Sequence, residues 1–214
     1  MTLSPAFAAS FSNSLTDAPM DHPDYALFPL STVLFPGGIM PLRIFEPRYL
    51  DMVAMCMKGQ TGFGICAARP PENEHEFSSP HAVGTLVEIV DFDRLDDGAL
   101  GITVHGRARF EVRSTRQADN GLWWGSVEFI DEDADSACPI EFSALKQIAA
   151  ALIDEVGLPY DTESRSYDSA SWLSARLTEL LPFDAATKHD LLATNDPLER
   201  LRRIRPMIEI ENTR

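Results

Sequence analysis

Residues 26–53 read ALFPLSTVLFPGGIMPLRIFEPRYLDMV and carry the clearest structural signals in the chain. The first eleven mix β-branched and aromatic residues with a proline near each end, a composition typical of an edge strand or of the first strand of a barrel. Pro47 suits the first turn of a helix, because its φ is already helical and its missing N–H would have no partner there. Apolar residues recur at helical spacing from Leu50 to Met57, and Gly59 is expected to end the helix.

Further strands are predicted downstream of this helix, at 62–68, 83–95, 99–115 and 122–130. The second and third are separated by Asp-Asp-Gly at 96–98, which indicates a hairpin because glycine accepts the positive φ of a tight turn. Both faces of the strand over 83–95 are largely apolar, so we expect it to be buried or curved within a small barrel.

The hairpin's second strand alternates regularly between apolar and polar residues. Arg107 and Arg109 share its polar face, which we predict to be solvated. Glycines at 101, 106 and 125 are expected bend points of a small barrel.

After Pro139 the apolar residues change to a helical period, and Gly157 with Pro159 is expected to end the first helix of this part. Three more helices are predicted from their capping residues, which are Asp168 or Ser169, then Asp184, and then Asp196 followed by proline.

The order of strands first and helices afterwards predicts an α+β fold. We expect a β-barrel domain with one helix over 25–135 and a helical domain over 136–214, joined through the acidic run at 131–135. Residues 1–24 follow no period and are rich in Ser, Ala, Pro and Asp, so they are predicted to be a disordered tail.

Charge and cysteine content limit the classes of function. The 18 basic and 33 acidic residues give a formal charge of −15, which disfavours binding to nucleic acid or anionic lipid. The three cysteines form no CxxC pair, which disfavours a disulfide framework. The chain has no run of 18 apolar residues, and no Lys or Arg precedes Tyr25 as a signal peptide requires, so we expect a cytoplasmic protein without membrane contact.

Known catalytic motifs are missing from the sequence. GxxxxGK[ST], GxSxG, HExxH, GxGxxG and paired CxxC motifs do not occur. His75 and His81, with Glu74 and Glu76, form the densest group of potential metal ligands, but their Pro, Asn and Ser neighbours indicate a solvated loop. We therefore predict a non-enzymatic protein without metal or cofactor.

Seven residues are candidates for binding, namely Phe45, Glu46, Arg48, Tyr49, Arg107, Arg109 and Trp124. The first four lie around the predicted start of the helix. There Glu46 is expected to pair with a neighbouring arginine and hold the helix against the barrel, or else the group contacts a partner.

Trp123 and Trp124 are adjacent, so their rings should lie on opposite faces of a strand. One is expected in the core, and the other would be a binding anchor if it is exposed in a groove.

Residues 27–53 and 83–112 resemble the N-terminal substrate-binding domain of Lon proteases, in particular the stand-alone bacterial proteins that carry this domain alone. The resemblance rests on four motifs in family order, PLxxxLFPG, IFExRY, VGT and a GxxRF strand, and residues 168–204 resemble the family's helical end. It implies a PUA-like β pseudobarrel followed by a small C-terminal helical bundle. It also implies recognition of unfolded or degron-bearing polypeptide. The ATPase and Ser-Lys peptidase modules are missing, so no catalytic residue can be carried over.

Two main functional hypotheses remain open, and a third, an enzyme acting on a small molecule, would require a concave pocket lined by convergent polar groups. The first is a polypeptide-binding module that serves as an adaptor or holdase, alone or with a protease or chaperone machine. The second is a PUA-like barrel that binds RNA, a nucleotide or another small ligand, supported by Arg107, Arg109 and the arginines near the C-terminus. The acidity of the chain argues against RNA and suggests a preference for basic or apolar segments of a partner.

Overall fold

The structure, a computed structural model, describes residues 23–70, 78–131, 135–157 and 165–211. Within these ranges it contains six strands and five α-helices. In chain order they are β1 (Asp24–Leu30), β2 (Ile39–Ile44), α1 (Pro47–Gly59), β3 (Phe63–Arg69), β4 (Ser79–Arg94), β5 (Leu100–Gln117), β6 (Trp123–Phe129), α2 (Ser143–Val156), α3 (Ala170–Leu180), α4 (Ala185–Leu192) and α5 (Pro197–Glu211). The predicted tail lies outside the described residues apart from Pro23 and Asp24.

The strands form one mixed sheet in the order β2-β5-β4-β3-β1-β6, in which β1 and β3 are parallel. An additional pairing between β5 and β6 makes a ring of five strands that is not evenly closed. The first part of β5 pairs with β2, from His105 opposite Ile39 to Leu100 opposite Ile44. Its last part pairs with β6. Because β2 joins the ring through β5 alone, its other side is an open edge among the described residues.

Apolar residues fill two main cores, one inside the strands and one among the helices. Tyr49, Met52 and Phe63 belong to the first, while Leu173 and Leu177 belong to the second. A smaller cluster joins the two parts, and its buried members are Val33, Phe35, Ala67, Ala175 and Leu192. The loop between β1 and β2 therefore packs directly against α3 and α4.

The predicted α+β fold, a strand barrel followed by helices, is confirmed. The helix predicted at Pro47 begins there and extends to Gly59. The predicted cap at Asp184 accepts from the backbone N–H of Thr187, and of the two residues offered for the preceding cap, Ser169 holds the position. These ends were predictable because short polar side chains satisfy the first free N–H groups of a helix.

Two features of the sheet differ from the sequence analysis. The first is β2, which the pattern did not separate from its surroundings because Pro41 interrupts it. The second is Arg109, whose side chain is 0% exposed, so the prediction of a solvated strand face is wrong there. The guanidinium of Arg109 is covered by α4 and donates to the carbonyl oxygen of Leu192 at 2.8 Å, whereas Arg107 remains exposed.

Candidate functional site

The loop between β1 and β2 is held by a buried ion pair from α3. The guanidinium of Arg176 lies 2.7 Å from the carboxylate of Glu179, and both side chains are almost completely buried. A Glu179 oxygen also accepts from the backbone N–H of Phe35 at 2.7 Å, and Arg176 donates to the carbonyl of Pro36 at 3.4 Å. Burial raises the pKa of Glu179, although the Arg176 charge opposes this shift. The pair therefore fixes the backbone that leads into β2.

Glycines allow this loop to lie close to β5. The N–H of Gly37 donates to the carbonyl of Gly106 at 2.9 Å, and the N–H of Gly106 donates to the carbonyl of Gly38 at 2.9 Å. A Cβ at Gly106 would lie 2.1 Å from the carbonyl oxygen of Phe35, and a Cβ at Gly38 would lie 2.6 Å from a Glu179 oxygen. Both positions require glycine, because real side chains do not approach so closely.

Hydrogen bonds and a ring contact also join α4 to the barrel. The ammonium group of Lys188 donates to Thr32 at 3.1 Å and to the carbonyl of Glu179 at 2.8 Å, and burial lowers its pKa. The His189 ring of the same helix lies against His81 of β4, with ring centroids 4.2 Å apart. The helices and the barrel thus meet through specific polar contacts as well as through apolar packing.

Two grooves are lined in part by residues of β2. The one we call the junction groove lies between β2 and the helices and has a volume of about 350 Å³. The other, the hairpin groove, lies between β2 and the ends of β4 and β5 and has a volume of about 290 Å³. Pro41 and Leu42 line both. We call β2 with these two grooves the β2 face.

The junction groove has a mostly apolar lining. Ile39, Met40 and Leu42 contribute from β2, and Val156 and Leu180 contribute from α2 and α3. The carboxylate of Glu179 also lines it, but that group is already bonded to Arg176 and to the backbone. The groove therefore offers apolar contact close to the open edge of a strand.

The hairpin groove presents an exposed aromatic ring. Phe92, near the end of β4, is 60% exposed, and Leu95 contributes further apolar surface. Asp91 and Asp93 also line the groove, but as strand neighbours of Phe92 they direct their side chains to the opposite face of β4. Large exposed apolar side chains gathered in a groove are a usual sign of an interaction site.

The four signature residues at the start of α1 divide into two groups. Phe45 directly follows β2 and is 68% exposed. Glu46 and Arg48 form the predicted ion pair at 2.7 Å, and Arg48 also donates to the carbonyl of Gly121 at 3.1 Å. The Tyr49 ring is buried beneath the Arg48 guanidinium. Arg48 and Tyr49 are therefore largely architectural, whereas Phe45 is available to a partner.

Burial and ring packing keep Tyr49 neutral. Its ring lies 4.0 Å from that of Phe28, centroid to centroid, and burial raises the pKa of its phenol. A phenol in this environment contributes packing and has no role as an acid or base near neutral pH.

The remaining candidate residues are dispersed. Arg107 lies 2.5 Å from Glu88 at the rim of a third groove of about 400 Å³, between the end of α1 and β4. Trp124 is half-buried in the barrel wall with the Arg116 guanidinium over its ring at 5.0 Å. With Arg109 buried under α4, the structure does not gather these three side chains into one site.

Chemistry other than binding finds little support in the described part of the chain. No group of three or more His, Cys, Asp or Glu side chains there could hold a metal ion; His75, Glu74 and Glu76 lie outside it. The cysteines are unpaired, and burial raises the pKa of Cys66 to about 12, far from that of a reactive thiol. Across the same residues, no helix is both long and apolar enough to cross a membrane.

Sequence reasoning did not select Phe92, Leu42 or Val156 as site residues. Phe92 lies in a strand whose two faces are both apolar, so nothing in the pattern marks it as exposed. The groove at Val156 requires α2 and β2 to be neighbours, and no local pattern contains that information. Phe45 is the exposed residue of this region that the sequence did single out, because it belongs to the signature next to Glu46 and Pro47.

Comparison with known proteins identifies a family that shares this sequence pattern and this fold. Residues 24–209 match a family model described as the ATP-dependent protease La (LON) substrate-binding domain. A crystal structure of a Lon N-terminal domain protein from Xanthomonas campestris is 35% identical, with a TM-score of 0.67 over 85% of this chain and 96% of that one. The N-terminal domain of a Mycobacterium avium complex Lon protease, 20% identical, shares the fold with a TM-score of 0.58 and the same coverage.

Curated full-length relatives are also similar to the chain. Lon protease 2 of Herpetosiphon aurantiacus is 28% identical over 191 residues, which are 85% of this chain and 23% of that protein. The Lon protease of Cytophaga hutchinsonii is 24% identical over 78% of this chain and 22% of its own length. The chain thus spans less than a quarter of the length of these relatives.

Proposed function

The chain belongs to the family of the Lon substrate-binding domain, and we propose that its β2 face binds segments of polypeptide that a folded protein would bury. The observation that carries the proposal is the pair of grooves that share residues of the edge strand β2, one of them with a mostly apolar lining, together with the exposed Phe45 at the end of that strand. Unfolded chains expose apolar side chains and unpaired backbone groups, and both kinds of group find partners at such a face.

The shape of β2 indicates how such a segment would bind. A proline within an edge strand removes one backbone donor, so continuous pairing of a second strand along β2 is disfavoured. Side-chain contacts in the two grooves would then supply most of the affinity, with backbone bonds as a smaller contribution. We expect short apolar segments of varied sequence to bind, because such contacts require little specific geometry.

We further propose that the chain is non-enzymatic and acts as an adaptor or holdase for a protease or chaperone machine. The proposal rests on the family, whose matched domain is a substrate-recognition module, and on the mostly apolar lining of the junction groove. The three unpaired cysteines favour a reducing compartment such as the cytoplasm.

The RNA-binding alternative loses part of the support that it drew from the sequence. Arg109 is buried, and Arg107 is paired with Glu88. Among the arginines of α5, Arg200 is buried against Ser174, whose hydroxyl accepts from it at 3.0 Å. Arg202 of the same helix is paired with Glu199 and Asp196, which further weakens the support for a surface that tracks a phosphate backbone.

Substitutions in the two grooves test the proposal. We expect Val156→Asp and Phe92→Asp each to weaken binding of an unfolded polypeptide about tenfold, which corresponds to about 1.4 kcal/mol. Both side chains are more than half exposed, so neither change should unfold the protein. The measurement is fluorescence anisotropy with a labelled protein that has been reduced and carboxymethylated so that it cannot refold.

Ile140→Asp is the matched control, because Ile140 is 85% exposed and lies outside both grooves. It should change the dissociation constant less than about twofold, since a peripheral contact contributes little. An equal loss in all three variants, or no binding by the unaltered protein at high micromolar concentration, would disprove the proposal.

A further inference from the structure

Two histidine rings meet where α4 packs on the barrel. His81 of β4 and His189 of α4 are stacked, with ring centroids 4.2 Å apart and an angle of 30° between the ring planes. His81 is half-buried, and the side chain of His189 is 14% exposed. Histidine is the side chain that ordinarily changes charge between about pH 5 and pH 8, so a pair of them at this junction links the contact to pH.

The hydrogen bonds of His189 leave one of its ring nitrogens without a partner. Nδ1 lies 3.3 Å from a carboxylate oxygen of Asp190, so a proton on this nitrogen has an acceptor. Nε2 is buried and has no hydrogen-bond partner among the described residues. A proton added there would be a buried donor without an acceptor, and it would bring a positive charge to the ring that stacks on His81.

The charged groups around the pair come from three elements. Arg69, at the end of β3, opposes a positive charge on His81. Asp190 of α4 favours one, but its carboxylate is 62% exposed to water. Arg203 of α5 donates to the backbone carbonyl of Asp190 at 3.5 Å. Two cations and one solvated carboxylate therefore lie near the rings.

From this geometry we infer that the contact between His81 and His189 makes the attachment of α4 to the barrel sensitive to acid. Neutral rings stack and hold the helix against β4. Protonation of both rings would place two positive charges 4.2 Å apart in a largely buried contact, close to Arg69. The repulsion between them would favour separation of α4 from the barrel.

The direction of the pH effect follows from His81. Burial lowers the pKa of its imidazole, the charges of His189 and Arg69 lower it further, and Asp190 raises it in part. The pKa therefore lies below the ordinary value of 6.5 while α4 is attached, and it returns toward that value when the helix separates. Because the separated state binds the proton more readily, attachment is strongest above about pH 6.5 and weakens as the pH falls below it.

Separation of α4 would also affect the junction groove. Lys188, the residue before His189, donates to the hydroxyl of Thr32 at 3.1 Å, and Thr32 lines that groove. Acid would therefore weaken one support of the groove as it loosens the helix.

Amide hydrogen exchange of α4 at about pH 7.5 and about pH 5.5, expressed as protection relative to an unstructured chain, tests the inference. We expect the protection of Leu191 and Leu192 to fall at least about fivefold at the lower pH, since uptake of one proton on opening changes the equilibrium by up to about tenfold per pH unit. In His81→Phe, which keeps an aromatic ring but cannot take up a proton, the fall should be less than about twofold.

His105→Phe is the matched control, because His105 is a barrel histidine whose ring lies beside Glu88 rather than α4. It should show the same fall as the unaltered protein. An equal fall in the unaltered protein and in His81→Phe would assign the effect to other groups and overturn the inference.

Proton NMR of the histidine rings gives a second test that does not depend on the stability of any variant. In the unaltered protein the His81 resonance should titrate with a midpoint below 6.5, because its pKa is lowered at the junction. A midpoint at or above that value would overturn the inference.

Discussion

Replacing Glu179 by alanine is expected to lower the free energy of unfolding by about 3 to 5 kcal/mol, the range for breaking one partner of a buried ion pair. The change would leave the Arg176 charge buried without its carboxylate, and it would remove the acceptor for the N–H of Phe35. Neither group could reach water without separating the loop between β1 and β2 from α3. Urea unfolding followed by circular dichroism measures the loss.

Two further variants identify the cause. The double variant Arg176→Met, Glu179→Leu removes both charges and fills the space with apolar groups, so it should recover much of the stability. Glu199→Ala breaks an exposed ion pair in which a carboxylate oxygen of Glu199 lies 3.5 Å from the guanidinium of Arg202. It should lower the free energy of unfolding by less than about 0.5 kcal/mol. If Glu179→Ala costs no more than Glu199→Ala, the account of the junction is wrong.

Gly106→Ala is expected to cost about 3 kcal/mol, at the upper end of the range for overpacking. The added carbon would lie 2.1 Å from the carbonyl oxygen of Phe35, and backbone cannot rotate away as a flexible side chain can. Two hydrogen bonds, from Gly37 to Gly106 and from Gly106 to Gly38, hold the loop against β5 at this point. The loop would have to move outward and weaken both. Thermal or urea unfolding measures the effect.

Gly59→Ala is the control for this substitution. A Cβ at Gly59 would meet its nearest neighbour, Thr61, at 3.5 Å, which is ordinary contact. In the last turn of α1 alanine should be neutral or stabilise by up to about 1 kcal/mol, because glycine is the more flexible residue in the unfolded chain. A Gly106→Ala protein as stable as Gly59→Ala would contradict the close approach of loop and strand.

Local chemistry explains which features the sequence predicts. The start of α1 at Pro47 and the cap at Asp184 depend on residues within one turn, so a single stretch of sequence contains the whole cause. The hairpin between β4 and β5 is similar, since Gly98 has a φ of +84° and occupies the predicted turn. The Glu46–Arg48 pair also forms between near neighbours.

Features that depend on distant contacts were not predictable in this way. Arg109 alternates with apolar residues as a solvated residue does, but α4, some eighty positions later, covers it and provides the Leu192 carbonyl. From their spacing alone, Arg176 and Glu179 would be expected to form an ordinary exposed ion pair on a helix. The loop at Phe35 packs against the pair and buries it. The grooves beside β2 likewise arise where elements distant in sequence meet.

The central claim, that the β2 face binds polypeptide, is tested most directly by recording amide NMR spectra of the protein during titration with an unfolded polypeptide. We expect the largest shifts in residues 39–45 and around Phe92, with small changes near Ile140 and in the groove beside Arg107. Shifts concentrated in the helices or beside Arg107, with β2 unchanged, would contradict it.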